Sequence, residues 1–234
     1  MPIGTVLAPV LDVSTTLGNQ TMTFNTNGVD LVQGLLGNGT LYVCIMGFHL
    51  DYNRIPPSLG GDYTAIRVGY SEMSGTSKDP RIRIVYDDES TDNIYSSGSG
   101  DSDDAYVQNF FYNPASLNWE GVVGNHTTVG TGRGDHNSST TGIYNFYQPG
   151  RGSDIFVSCM RSYFAFDFSG LSSGDTIHAG GAGVILSLYL DNTGTTTGDF
   201  GKIIAIQSTA LAGSTADYGN CFQPDNATFF GASL

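Results

Sequence analysis

The sequence predicts an all-β sandwich with long loops, and three observations predict it. Charged residues are only 13 % of the 234, about half the roughly 25 % usual for soluble domains. Glycine is abundant at 32 residues, and aromatic residues reach 12 %. Short apolar or alternating segments recur, separated by stretches rich in Gly, Ser, Asp and Asn, with almost no helical periodicity between them. With 39 % hydrophobic residues, the chain has enough apolar side chains to bury a core.

The elements follow in order. GVDLVQGLLG, residues 28–37, is the best helix candidate: Val29, Leu31, Val32, Leu35 and Leu36 fall at helical spacing, and its glycines limit it to about two turns. LYVCIMGF, residues 41–48, is a continuous apolar run and reads as a buried strand. Residues 64–70 alternate, with Ala65 and Arg67 on one face and Ile66, Val68 and Tyr70 on the other. Residues 81–86 alternate more cleanly, Ile82, Ile84 and Tyr86 facing away from Arg81, Arg83 and Val85. IFVSCMRSYFAFDF, 155–168, predicts two short strands or one long bent one, and 184–190 and 202–207 complete the set. Residues 87–104 are the most polar stretch, read as a loop and the best candidate for a boundary. Residues 124–142 form a second loop, too long for an ordinary hairpin.

Charge narrows the function classes. Nine basic residues stand against 22 acidic ones, a net charge of −13. Without clustered Lys and Arg there is no counterion-releasing surface, so neither nucleic acid nor an anionic membrane is an expected partner. Cys44, Cys159 and Cys221 are widely spaced and form no CxxC pair, which predicts buried thiols with one disulfide open to an oxidising setting. No stretch approaches the 18 or so apolar residues of a membrane-spanning helix. The N-terminal MPIGTVLAPVLDVS lacks the basic and apolar regions of an export signal. Extracellular-style composition without such a signal predicts a virion component, released with its particle.

Residues 161–190, RSYFAFDFSGLSSGDTIHAGGAGVILSLYL, carry Arg161, an aromatic strand ending in Phe166 and Asp167, a small-residue loop with Leu171, then Ile177 and the strand positions Leu186, Leu188 and Tyr189. This pattern resembles jelly-roll β-sandwich modules of the DNRLRE and carbohydrate-binding type, frequent in secreted bacterial proteins and phage structural proteins. GTSKDPRIRIVY, residues 75–86, resembles the closing strand of the same modules. The two lie in inverted order. Residues 1–90 resemble the C-terminal half of a module and residues 91–234 the N-terminal half. The resemblance therefore implies a jelly roll that is circularly permuted or completed by a neighbouring subunit, or else a window from a longer repeat.

Catalytic signatures are absent from the local sequence: there is no GxSxG elbow and no HExxH, and no enzymatic activity is expected. Asp101, Asp103 and Asp104 in GDSDDAYV partly echo the alternating oxygen ligands of calcium loops, but the run lacks the following Gly and distal Glu of an EF-hand, and a solvated acidic turn is the better reading. Trp119, Tyr95 and Tyr112 belong to an aromatic-rich stretch that suits stacking on sugar rings, against the simpler reading of core filling. The function predicted is a non-enzymatic structural subunit of a virion, such as a capsid decoration, tail or fibre protein, associating with itself or with other virion proteins. The alternatives are a carbohydrate-binding module reading a cell-surface glycan, and a subunit of an extracellular filament.

Overall fold

A computed structural model describes residues 5–13, 17–59, 63–69, 76–96, 104–112, 119, 132–133, 140–149, 154–179, 182–193 and 198–208. Their elements run β1 (Leu11–Asp12), β2 (Gly18–Thr23), α1 (Thr26–Leu35), β3 (Thr40–Gly47), a π-turn (Phe48–Tyr52), β4 (Thr64–Gly69), β5 (Arg81–Val85), β6 (Thr91–Tyr95), β7 (Asp104–Tyr112), β8 (Gly132–Arg133), β9 (Thr140–Pro149), β10 (Ile155–Asp167), β11 (Val184–Thr193) and β12 (Lys202–Gln207), with 3₁₀ turns at Thr76–Lys78 and Gly198–Gly201. The fold is all-β and sandwich-like, and every strand pair is antiparallel. Hydrogen bonds join the strands in the order β1-β12-β3-β10-β9-β4-β11-β5-β6, with β2 added to β11 and β7 to β10.

Two long strands organise this order. β10 pairs with β9 through Ile155–Met160 and with β3 through Ser162–Asp167, while its opposite edge carries β7. β11 repeats the arrangement: β5 pairs with its first half, β4 with its end beyond an irregularity at Leu190/Asn192, and β2 lies along the opposite edge. Each long strand thus passes from one group of partners to another. The 155–168 segment is one strand of 13 residues.

The core lies between the β12-β3-β10 group and the β5-β11-β2 group. Leu41, Val43 and Ile45 of β3, Phe164 and Phe166 of β10, and Ile203 and Ala205 of β12 share one cluster with Met22, Ile82, Ile84, Leu186 and Leu188. The intervening residues turn to a second cluster on the other face: Cys44, Met46, Val157, Cys159, Tyr163, Ile204 and Ile206, with Leu50 and Trp119. Burial on both faces explains why LYVCIMGF reads as continuously apolar rather than alternating.

The helix begins two residues earlier than its apolar pattern suggests. Asn25 caps it, its Oδ1 accepting the Gly28 N–H at 2.9 Å while its Nδ2 donates to the Val6 carbonyl at 2.8 Å. It ends before Gly37, which takes a φ of +81° and donates its N–H to the Phe168 carbonyl. A Cβ at Gly37 would meet Ser173 at 3.0 Å, so this turn requires glycine on two counts.

The expectation that 87–104 is a loop is corrected at its start. Only Asp87, Asp88 and Glu89 form the turn, closed by the Tyr86 N–H on the Ser90 carbonyl, and β6 follows at once. The polar sequence TDNIY hid a strand because, among the described residues, that strand pairs with β5 alone and its alternate side chains Thr91, Asn93 and Tyr95 are exposed. Likewise the predicted 124–142 loop contains β8 and the start of β9; its other residues lie outside those described. Residues 1–90 supply β1–β5 and residues 91–234 supply the remaining strands, and the two sets interleave throughout the sheet.

The turn also carries a prediction. Glu89 has a φ of +68°, a left-handed conformation that penalises a side chain with a Cβ. Glu89→Gly is expected to raise stability by about 0.5–1 kcal/mol, read as a higher urea midpoint with an unchanged slope.

Candidate functional site

Three features of the described residues bear on function: a buried ion pair, an acidic recess and an open sheet edge.

The ion pair sits in the second cluster. β3 leaves its layer at Gly47 and winds into the π-turn, whose Asn53 N–H reaches the Phe48 carbonyl at 2.9 Å. This turn carries Asp51 inward to Arg161, which shares its face of β10 with Cys159 and Tyr163. Arg161 Nε donates to Asp51 Oδ2 at 2.8 Å and Nη2 to Oδ1 at 2.7 Å, and both side chains are 0 % exposed. The planar guanidinium matches both carboxylate oxygens at once. Beside it the Trp119 indole N–H donates to the Leu50 carbonyl at 2.7 Å. One five-residue turn therefore ties both an arginine and a tryptophan into the interior.

The recess lies where the β5–β6 turn meets the loop after β10. It encloses about 290 Å³ and is lined by Tyr86, Asp87, Asp88, Ser90, Gly174, Asp175 and Thr176. Gln33 of α1 holds the loop in place, donating to the Asp175 carbonyl and accepting from the Ile177 N–H. The Tyr86 hydroxyl donates to Asp92 Oδ2 at 3.0 Å. Burial, then this hydrogen bond and the negative charges of Asp92, Asp175 and Asp88, push the phenol well above its ordinary range. Asp88 is held below its usual value by the hydroxyl and the N–H of Ser90. On the far side of the loop, Asp167 is lowered likewise by the N–H and hydroxyl of Ser169. His178 Nδ1 stands 3.3 Å from Asp87 Oδ1, both groups exposed.

A pH dependence follows from Tyr86. Its folded pKa exceeds its unfolded value of about 10, so the folded protein holds this proton more tightly. The resulting stability is complete below about pH 10 and is lost as pH rises beyond it. Tyr86→Phe is expected to lower stability near neutrality by about 1–2 kcal/mol and to make the alkaline decline less steep, checked by urea unfolding at about pH 8 and about pH 11.

The open edge is β6. It pairs with β5 alone among the described residues, and Thr91, Asn93 and Tyr95 are exposed.

The structure describes the sequence-predicted site residues only in part. Asp101 and Asp103 lie outside the described residues, and Asp104 opens β7, whose backbone alone is described. Among the described residues, no three His, Cys, Asp or Glu side chains stand together as a metal site. Trp119 is 4 % exposed and belongs to the second cluster, so its ring is not presented to a sugar from solution. Tyr95 is exposed on β6, and Tyr112 ends β7. Cys44 and Cys159 are buried, and Cys221 lies outside the described residues. Among the described residues, no helix is long and apolar enough to cross a membrane.

Asp51 was not legible as a functional or structural partner. The signal available was Arg161 itself: an arginine inside VSCMRSYF requires a buried carboxylate, but nothing local says which. No family model, no curated protein and no solved structure matches the chain.

Proposed function

We propose that this chain is a non-enzymatic structural subunit, of the virion type, whose chemistry is burial within the chain and edge pairing between chains. The observation that carries the reading is the outer edge of β6, unpaired among the described residues, on a strand whose solvent face is Thr91, Asn93 and Tyr95. Open strand edges invite another strand unless they are covered or blunted. β2 is similar: it pairs with β11 alone among the described residues and carries no charge in GNQTMT. Low charge content and Gly-rich connections fit a subunit packed among neighbours.

The fold underlying this reading is a jelly roll closed within one chain. Its support is the pairing of β5 with β11, Ile84 opposite Val184 and Arg81 opposite Ser187, together with the Tyr86–Ile177 bridge. These contacts join the two segments, 75–86 and 161–190, that resemble opposite halves of a module. Negative-stain imaging of the concentrated full chain tests the assembly reading. Regular rings, shells or filaments are the expected result; isolated particles of subunit size at every concentration would overturn it.

A further inference from the structure

The direction of the β6 main chain can be worked out from its neighbour. In the β5–β6 ladder Arg81 lies opposite Tyr95, Ile82 opposite Ile94 and Val85 opposite Thr91. The Ser96 N–H donates to the Pro80 carbonyl at 2.9 Å, and the Tyr86 N–H to the Ser90 carbonyl at 3.0 Å. Hydrogen-bonded and non-hydrogen-bonded pairs alternate along an antiparallel ladder. Residues 90, 92, 94 and 96 therefore turn their main-chain groups toward β5, and Thr91, Asn93 and Tyr95 turn theirs outward. The residues whose side chains are most exposed are also those with outward donors and acceptors.

We propose that this edge is self-complementary and that two copies of the chain pair antiparallel about Asn93, continuing the sheet across a two-fold axis. The proposal rests on the assembly reading above and names its partner. In this register Asn93 faces the partner's Asn93 and Thr91 faces the partner's Tyr95, so each outward residue exchanges both of its main-chain groups. Asp92, the one charged residue of β6, faces the partner's Ile94 and not a second carboxylate. An isologous contact of this kind closes on itself.

Charge favours the same arrangement. The β5–β6 hairpin is acidic at its turn, with Asp87, Asp88 and Glu89, and carries a small basic excess at its open end, with Lys78 and Arg81 against Asp79. Antiparallel pairing lays the acidic turn of each copy beside the basic end of the other. Parallel pairing would align turn with turn, placing like charges together. The hairpin as a whole, with Lys78, Arg81 and Arg83 against Asp79, Asp87, Asp88, Glu89 and Asp92, shares the acidity of the chain, so the complementarity lies in the opposition of its two ends.

Cysteine cross-linking of the full chain tests the register. Asn93→Cys is expected to give a disulfide-linked dimer under mild oxidation. Thr91→Cys is not, because the two copies of residue 91 would lie roughly 13 Å apart, beyond disulfide reach; the unsubstituted chain under the same oxidant supplies the background. Asn93→Pro removes only an outward N–H and leaves the β5 ladder in place, so self-association should be lost while the circular dichroism spectrum and melting curve persist. A chain that assembles, yet neither cross-links through Asn93→Cys nor responds to Asn93→Pro, would overturn this interface and leave the assembly reading standing. A chain that stays monomeric and fails to cross-link would overturn both.

Discussion

Replacing Arg161 with Met is expected to lower stability by about 3–5 kcal/mol. The side chain is fully buried and holds both oxygens of the equally buried Asp51. Removing it strands a carboxylate among Tyr163, Cys159 and Trp119, where water cannot replace the lost partner. The cost lies in breaking the pair and not in any large net attraction, since two buried charges lose nearly as much hydration as they gain in mutual attraction. Removing both charges should therefore be much milder. The double variant Asp51→Leu with Arg161→Met is expected to recover most of the loss, and urea unfolding of the wild type, both single variants and the double variant reads the coupling directly. Additive losses would mean that the two groups act independently, contrary to their bidentate geometry.

Phe166→Ala is expected to cost about 3–5 kcal/mol. Phe166 is 0 % exposed and sits opposite Leu41 near the end of β10, in the cluster shared by both groups of strands. Truncation leaves a void that neighbours held by the β3 and β11 ladders cannot collapse to fill. The loss should appear as a lower urea midpoint, whereas the exposed Thr91→Ala should change stability by less than about 0.5 kcal/mol. If Phe166→Ala were equally silent, the two-layer core would be wrong at its centre.

Strands that bury a face were legible because burial writes a period into the sequence. RIRIVY alternates because one face of β5 meets the core, and LYVCIMGF does not alternate because both faces of β3 are covered. β2 and β6 were not legible for the converse reason. Among the described residues each pairs with a single strand and carries polar side chains, so GNQTMT gave no strand signal and TDNIY fell within the stretch read as loop. The division of β10 and β11 between two sets of partners was equally hidden, since it depends on contacts such as Phe166–Leu41 across more than a hundred residues. Of the site residues, Trp119 carried a core reading that its position in the second cluster matches. Asp51 gave no sign, because a π-turn has no distinctive sequence period and its arginine lies 110 residues away. The edge of β6 became visible only when the direction of its main-chain groups could be read from β5.

Self-association through sheet edges is the property on which the proposed function depends. Light scattering of the purified full chain over a wide concentration range measures this most directly. The expected result is a mass that rises with concentration above the 24.8 kDa of one chain, reaching at least a dimer, and a variant Asn93→Pro whose mass does not rise. A constant monomer mass for the unsubstituted chain at every concentration would contradict it.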